Sequence, residues 1–192
     1  MSAAGQIAVV RGDITRLAVD AVVNAANAAL RGGGGVDGAI HRAAGPGLLE
    51  ELRRCYPTGC APGDAVLTAG HALPARYVIH AVGPVWRGGG HDEAAVLRRA
   101  YDEAFARARD ASTGGHDDRV RGIAFPAIST GVYGYPKREA AAVALAAMRD
   151  HAPAFDRVVA CLFDAESEAV YRDVARALGV PLTALSPRDA TA

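Results

Sequence analysis

Apolar positions along the chain follow two alternating rhythms. Short runs of β-branched and apolar residues recur at Ile7-Ala8-Val9-Val10, Ala21-Val22-Val23, Ala65-Val66-Leu67-Thr68, Tyr77-Val78-Ile79, Ile123-Ala124-Phe125 and 158–163, with a weaker run at 182–185. Several are continuously apolar rather than alternating, the pattern of strands covered on both faces by helices. Between them stand segments with helical period. The clearest spans about 91–109, where Val96, Leu97, Ala100, Tyr101, Ala104, Phe105 and Ala108 form one stripe and Arg98, Arg99, Asp102, Glu103 and Arg107 lie mostly off it. Further helices are predicted over 37–44, stopped by Gly45-Pro46; over 137–150; and over 167–178, stopped by Gly179 and Pro181. Strand and helix in alternation predict an α/β protein, a three-layer α/β/α sandwich around a mixed central sheet of about six or seven strands.

Length and charge narrow the function classes. At 192 residues the chain suits one domain, taken as 1–185, with 186–192 expected to be a disordered tail and 112–118 an exposed loop. It shows no internal repeat and no linker rich enough in Gly, Ser or Pro to divide it. Its 21 basic residues balance 21 acidic ones, so general affinity for nucleic acid or an anionic membrane is not expected, and any anion must be met locally. The N-terminus lacks a basic segment followed by an apolar one, and the alanine-rich run 140–148 falls far short of the ~20 residues that span a bilayer. Cys55, Cys60 and Cys161 are odd in number and lack Cys-x-x-Cys spacing, which suggests reduced thiols rather than a disulfide framework or a zinc site. A cytoplasmic protein with no metal and no cofactor is expected.

The candidate chemistry sits in two loops. After the strand ending at Val23 come Asn24-Ala25-Ala26-Asn27, a four-residue spacer, Gly32-Gly33-Gly34-Gly35 and then Val36-Asp37-Gly38-Ala39-Ile40-His41. Four successive glycines suit a loop whose peptide N–H groups must reach a bulky anion with no Cβ in the way. Gly33-x-Gly35-x-x-Gly38 formally matches the dinucleotide fingerprint but fits it poorly: eight residues part the strand from the glycines, and Glu50 and Glu51 come too early for the ribose acid expected ~20 residues on. An Asp at a helix start is ordinarily an N-cap. Asp37, however, ends a predicted phosphate loop, where a negative charge opposes binding unless it orients a water, accepts its proton or holds a sugar hydroxyl. Asn24 is read as a turn cap, whereas Asn27, closer to the glycines, offers a donor and an acceptor suited to a ribose diol. The second loop, Pro126 to Pro136, carries Ser129, Thr130, Gly131, Val132 and Tyr133 between a strand and a helix, where ligands of open α/β sheets collect. Tyr135 and Trp86 are read as packing residues, and Tyr133 as one able to lie over a ligand.

Gly12-Asp13-Ile14-Thr15, Val22-Val23-Asn24-Ala25-Ala26-Asn27, the stretch from Gly32 to Gly45 and Ala127-Ile128-Ser129-Thr130-Gly131-Val132-Tyr133-Gly134-Tyr135-Pro136, in this order, resemble the macrodomain family. The resemblance runs from Ile7 to about Gly179 and is closest to its hydrolytic branch, the bacterial O-acetyl-ADP-ribose deacetylases. It implies that Asp13 accepts from the adenine amino group, that Ile14 gives a backbone contact and that Phe163 stacks on the adenine where relatives often carry Tyr. By the same resemblance the loops Gly34, Gly35, Val36, Asp37 and Ser129 to Tyr133 hold the diphosphate and distal ribose, Asn27 orients that ribose, and Asp37 is the catalytic acid or base. The implied ligands are ADP-ribose and acylated ADP-ribose, extended to mono-ADP-ribosylated proteins. The alternative from another class is a reader module that binds ADP-ribose without cleaving it; members that only bind often lack the Asn and Asp of the first loop.

Overall fold

A computed structural model describes residues 5–111 and 119–185. The expectations for the 112–118 loop and the 186–192 tail lie outside the described residues. Six strands form one sheet: β1 (Gln6–Arg11), β2 (Ala21–Ala26), β3 (Ala65–Ala69), β4 (Tyr77–Val82), β5 (Gly122–Phe125) and β6 (Arg157–Leu162). Their spatial order is β1-β6-β5-β2-β4-β3, with every neighbouring pair parallel except β3 with β4. The helices are α1 (Gly35–Ala44), α2 (Pro46–Cys55), α3 (Glu93–Asp110), α4 (Lys137–His151) and α5 (Ala165–Ala177).

Alternate residues of each strand feed two separate cores. Val23, Ile79, Ile123, Phe125, Val158 and Ala160 pack with Leu97, Tyr101 and Phe105 of α3, Leu145 and Met148 of α4, and Tyr171 of α5. Their sequence neighbours Val22, Val78, Ala124 and Val159 pack on the other face with Ile40 of α1 and Leu48 and Leu52 of α2. Burial on both faces is why the strands read as unbroken apolar runs. The three-layer sandwich is therefore as expected, with six strands.

Two elements depart from expectation. Helix α2 was not anticipated, because Gly45-Pro46 reads as a stop. Gly45 (φ 84°) does end α1, donating to His41 O, but Pro46 is also the first residue of α2, where its missing N–H costs nothing. Segment 182–185 forms no strand. Thr183 N donates to Ile7 O at 2.8 Å, but the next outward acceptor on β1, Val9 O, is taken by the Arg172 guanidinium at 2.7 Å, so no ladder extends. Among the described residues no helix is long and apolar enough to cross a membrane.

Connectivity opens the sheet beside β2. β2 runs into α1 on one face, while its neighbour β5 runs into α4 on the other. The chain thus diverges from adjacent parallel strands, which leaves a crevice at their carboxyl ends.

Candidate active site

That crevice is a cavity of about 310 Å³ whose walls are the two loops singled out by sequence. Asn27, Gly33, Gly34, Gly35, Val36 and Asp37 line one side, and Ser129, Gly131, Val132 and Tyr133 the other, with Gly83 between. The loops are about a hundred residues apart in the chain and meet because β2 and β5 are neighbours.

The first wall is built around helix α1. It begins at Gly35, two residues earlier than expected, with Gly34 as N-cap and no side chain capping it. Its first peptide N–H groups therefore lack intrahelical acceptors and lie at the positive end of the helix dipole, beside the cavity. Gly38 packs so closely on the loop that a Cβ there would sit 2.5 Å from Gly33 O. Asn27 Nδ2 donates to Gly32 O at 2.8 Å and shapes the glycine turn, leaving its buried Oδ1 without a partner.

Asp37 is not a cap. Its carboxylate is buried, and Oδ1 accepts from Asn24 Nδ2 at 2.7 Å and lies 3.3 Å from His41 Nε2 one helical turn on. Oδ2 is on the Gly33 side, 3.2 Å from where a Cβ of that residue would stand. Asn24 is likewise no turn cap: it lies inside β2, fully buried, paired in register with His80 of β4, whose Nδ1 is 3.1 Å from the same amide nitrogen. His80 is also fully buried, and its pKa falls to about 3, first through burial and then through the nearby charge of His41. Asn24, His41 and His80 were missed as site residues. For His41 the signal was available in the i, i+4 spacing from Asp37.

The second wall is held by backbone. Tyr135 N donates to Ser129 O at 2.9 Å and Gly134 N to Gly131 O at 3.0 Å, which turns Ser129 to φ 67°. Non-glycine residues in that left-handed region concentrate at functional sites. Ser129 Oγ is buried, lines the cavity and has no partner. Trp86 N donates to Tyr133 O at 2.8 Å, and the indole packs on Tyr135 with ring centres 4.6 Å apart. The loop after Trp86 is tied down by buried Glu93, which accepts from the peptide N–H groups of Arg87, Gly89 and His91. Burial alone would raise the pKa of Glu93, but these peptide donors outweigh it and hold it at about 2.

Four expected residues lie outside the cavity lining. Thr130 turns its hydroxyl to Ala127 O at 2.8 Å. Gly12 N donates to Leu162 O at 2.9 Å, which sets Asp13 and Phe163 side by side at the carboxyl ends of β1 and β6, along the same sheet edge. Asp13 Oδ1 accepts from Thr15 N at 3.0 Å and Thr15 Oγ1 at 2.7 Å, Ile14 is buried under α1, and the Phe163 ring is 88% exposed. An aromatic that open to water serves no packing role. Cys161 beneath them is protonated, its pKa pushed up to about 12 by burial and then by Asp13, so it offers no thiolate. Among the described residues no group of three His, Cys, Asp or Glu side chains is placed to hold a metal ion.

Comparison with known proteins settles the family. The Macro domain model matches residues 23–144, which include both walls of the cavity. The chain belongs to the macro domain family. A macro domain-containing protein of Ralstonia nicotianae is 56% identical over 161 residues, covering 84% of this chain and 89% of that protein. The O-acetyl-ADP-ribose deacetylase of Salmonella typhimurium is 49% identical over 171 residues, covering 86% and 92%. Among solved structures, the Oceanobacillus iheyensis macrodomain with ADP superposes with a TM-score of 0.79 at 38% identity, covering 88% of this chain and 90% of that one. The Trypanosoma brucei macrodomain in complex with ADP-ribose gives 0.75 at 42% identity, covering 88% and 68%. The first loop of this macro domain carries both an Asn, Asn27, and an Asp, Asp37.

Proposed function

We propose that this macro domain is an ADP-ribose-binding hydrolase that removes the acyl group from O-acetyl-ADP-ribose, and that the same site releases mono-ADP-ribose from acidic side chains of proteins. The observation that carries the reading is the buried Asp37 carboxylate, one oxygen held and the other on the cavity side, at the mouth of a glycine loop. A charge placed where phosphates are to bind opposes them unless it works on the substrate.

The diphosphate lies between the start of α1 and the Ser129–Tyr133 turn, where peptide N–H groups and the helix dipole offset its charge. No metal is needed for that purpose. Asp13 and Phe163, side by side at the neighbouring strand ends, take the adenine, and Ile14 gives a backbone contact next to them. Asn27, through its unpartnered Oδ1, and Asp37 then meet the distal ribose. In deacetylation a water oriented by Asp37 attacks the acetyl carbonyl carbon, the ester C–O bond breaks, and the water's proton passes by way of Asp37 to the departing ribose oxygen. Acetate and ADP-ribose are the products. For a modified acidic side chain, the same water attacks the anomeric carbon and the side-chain carboxylate leaves. Free thiols at Cys55, Cys60 and Cys161 suit a reducing, cytoplasmic setting.

Acetate release from O-acetyl-ADP-ribose tests the reading. Asp37→Ala is expected to lower turnover about 10²-fold or more while ADP-ribose still binds. Tight ADP-ribose binding by the wild-type protein with no acetate released would make it a reader module instead, and wild-type turnover in Asp37→Ala would remove the carboxylate from the chemistry.

A further inference from the structure

The buried face of β2 and β4 carries a chain of polar side chains that packing does not explain. Asn24 and His80 point to the α1 side of the sheet, between Val22, Ala26, Val78 and Val82, and both are fully buried. Thr68 of β3, also buried, places Oγ1 3.0 Å from His80 Nε2 and 3.5 Å from Val78 O. Apolar residues here would avoid the desolvation of three polar groups, so their presence calls for a use.

We propose that Asn24 fixes the orientation of the Asp37 carboxylate, and that His80 and Thr68 act through Asn24 as positioning residues for turnover. The proposal rests on the role given to Asp37 above. Direction along the chain is set by what each group can donate. A carboxylate only accepts, so Asn24 must turn its amide nitrogen, not its oxygen, toward Asp37 Oδ1, 2.7 Å away. The second N–H of that nitrogen meets His80 Nδ1 at 3.1 Å, which must then be the unprotonated ring nitrogen. Nε2 carries the proton and donates to Thr68 Oγ1, whose own hydrogen is left for Val78 O. Every hydrogen bond from Asp37 to the β4 backbone thus has one self-consistent polarity.

Reversal would misplace the carboxylate. A proton on His80 Nδ1 would face the Asn24 N–H and drive the amide to flip, setting Asn24 Oδ1 against Asp37. Burial, and secondarily the charge of His41, keeps His80 neutral with a pKa near 3, so the polarity holds over the working range. Asn24 and His41 both engage Oδ1, which leaves Oδ2 on the Gly33 side for the attacking water.

The two isosteres of His80 separate positioning from packing. His80→Asn places an oxygen where Nδ1 was and keeps the acceptor for Asn24; His80→Gln reaches Thr68 but leaves Asn24 without it. With O-acetyl-ADP-ribose as substrate, His80→Gln is expected to lower kcat about tenfold with the ADP-ribose Kd changed by less than about threefold, and His80→Asn to recover most of that loss. Equal kcat in the two variants, or a loss confined to Kd, would overturn the proposal. Should His80→Gln fail to fold, Thr68→Val removes only the hydroxyl: a fall in kcat of about threefold at constant KM supports positioning, and an unchanged kcat refutes it. Asp37→Ala measured alongside keeps the two readings apart. If it is inactive while the His80 variants match wild type, only the positioning role falls; if it retains wild-type turnover, the role of Asp37 falls first.

Discussion

The two walls of the cavity are held in different ways. On the α1 side, side chains fix the geometry: Asn24 from the sheet and His41 from α1 hold Asp37, and Asn27 holds the glycine turn. On the facing side the geometry is made by peptide groups, from Tyr135 to Ser129, Gly134 to Gly131 and Trp86 to Tyr133, braced by the Trp86–Tyr135 contact. A wall fixed by side chains can place one carboxylate to a fraction of an ångström. A wall of peptide bonds presents N–H groups to an anion and tolerates changes in the side chains that hang from it, as fully exposed Val132 suggests. Perturbing the first wall should therefore appear in kcat, and perturbing the second in KM.

The largest expected effect on the second wall comes from Gly83. A Cβ there would collide with Ser129 Oγ and lie 2.6 Å from Ile128 Cγ2, so Gly83→Val must displace both side chains at the start of the turn. Overpacking of this kind costs about 1–3 kcal/mol, and we expect KM for O-acetyl-ADP-ribose to rise about tenfold or more with kcat changed far less. A fall in kcat at constant KM would erase the distinction between the walls.

A smaller effect belongs to the open strand ends beyond both walls. Phe163→Ala should weaken ADP-ribose binding by about 1 kcal/mol, the low end of base–aromatic stacking, because one face of the ring stays in water. Since the side chain is 88% exposed, the melting temperature should not move. Calorimetric titration with ADP-ribose checks this, and unchanged affinity would take the adenine away from Phe163.

The smallest effect on the site, and the most specific in its pH dependence, is that of Glu93. Its folded pKa of about 2 lies below the ordinary value of 4.5, so its stabilisation is fully present above pH 4.5 and fades as pH falls toward 2. Melting curves of wild type and Glu93→Gln should thus differ at neutral pH and converge in acid. A constant gap would mean that the carboxylate charge is not what holds the loop after Trp86.

Much of this could be read before folding, for identifiable reasons. Strands buried on both faces leave unbroken apolar runs, so all six were found, the ends of β2 and β4 falling a few residues later than expected. Glycine loops and their flanking polar residues are contiguous in the chain, so both walls were visible. The polar pair behind Asp37 was not, because Asn24 and His80 are 56 positions apart and meet only through the β2–β4 register. Asn24 beside a predicted turn looked like a local cap, and only the extension of β2 to Ala26 makes it part of the sheet. Helix α2 was hidden by the double meaning of Gly45-Pro46, although Leu48 and Leu52, four residues apart and both fully buried, carried its period.

The central claim, that both loops close on one ligand, is tested most directly by following backbone amide resonances during a titration with ADP-ribose. The account predicts that amides of Gly33 to Asp37 and of Gly131 to Tyr133 shift together along one saturation curve. Shifts confined to one loop, or two curves with different midpoints, would contradict it.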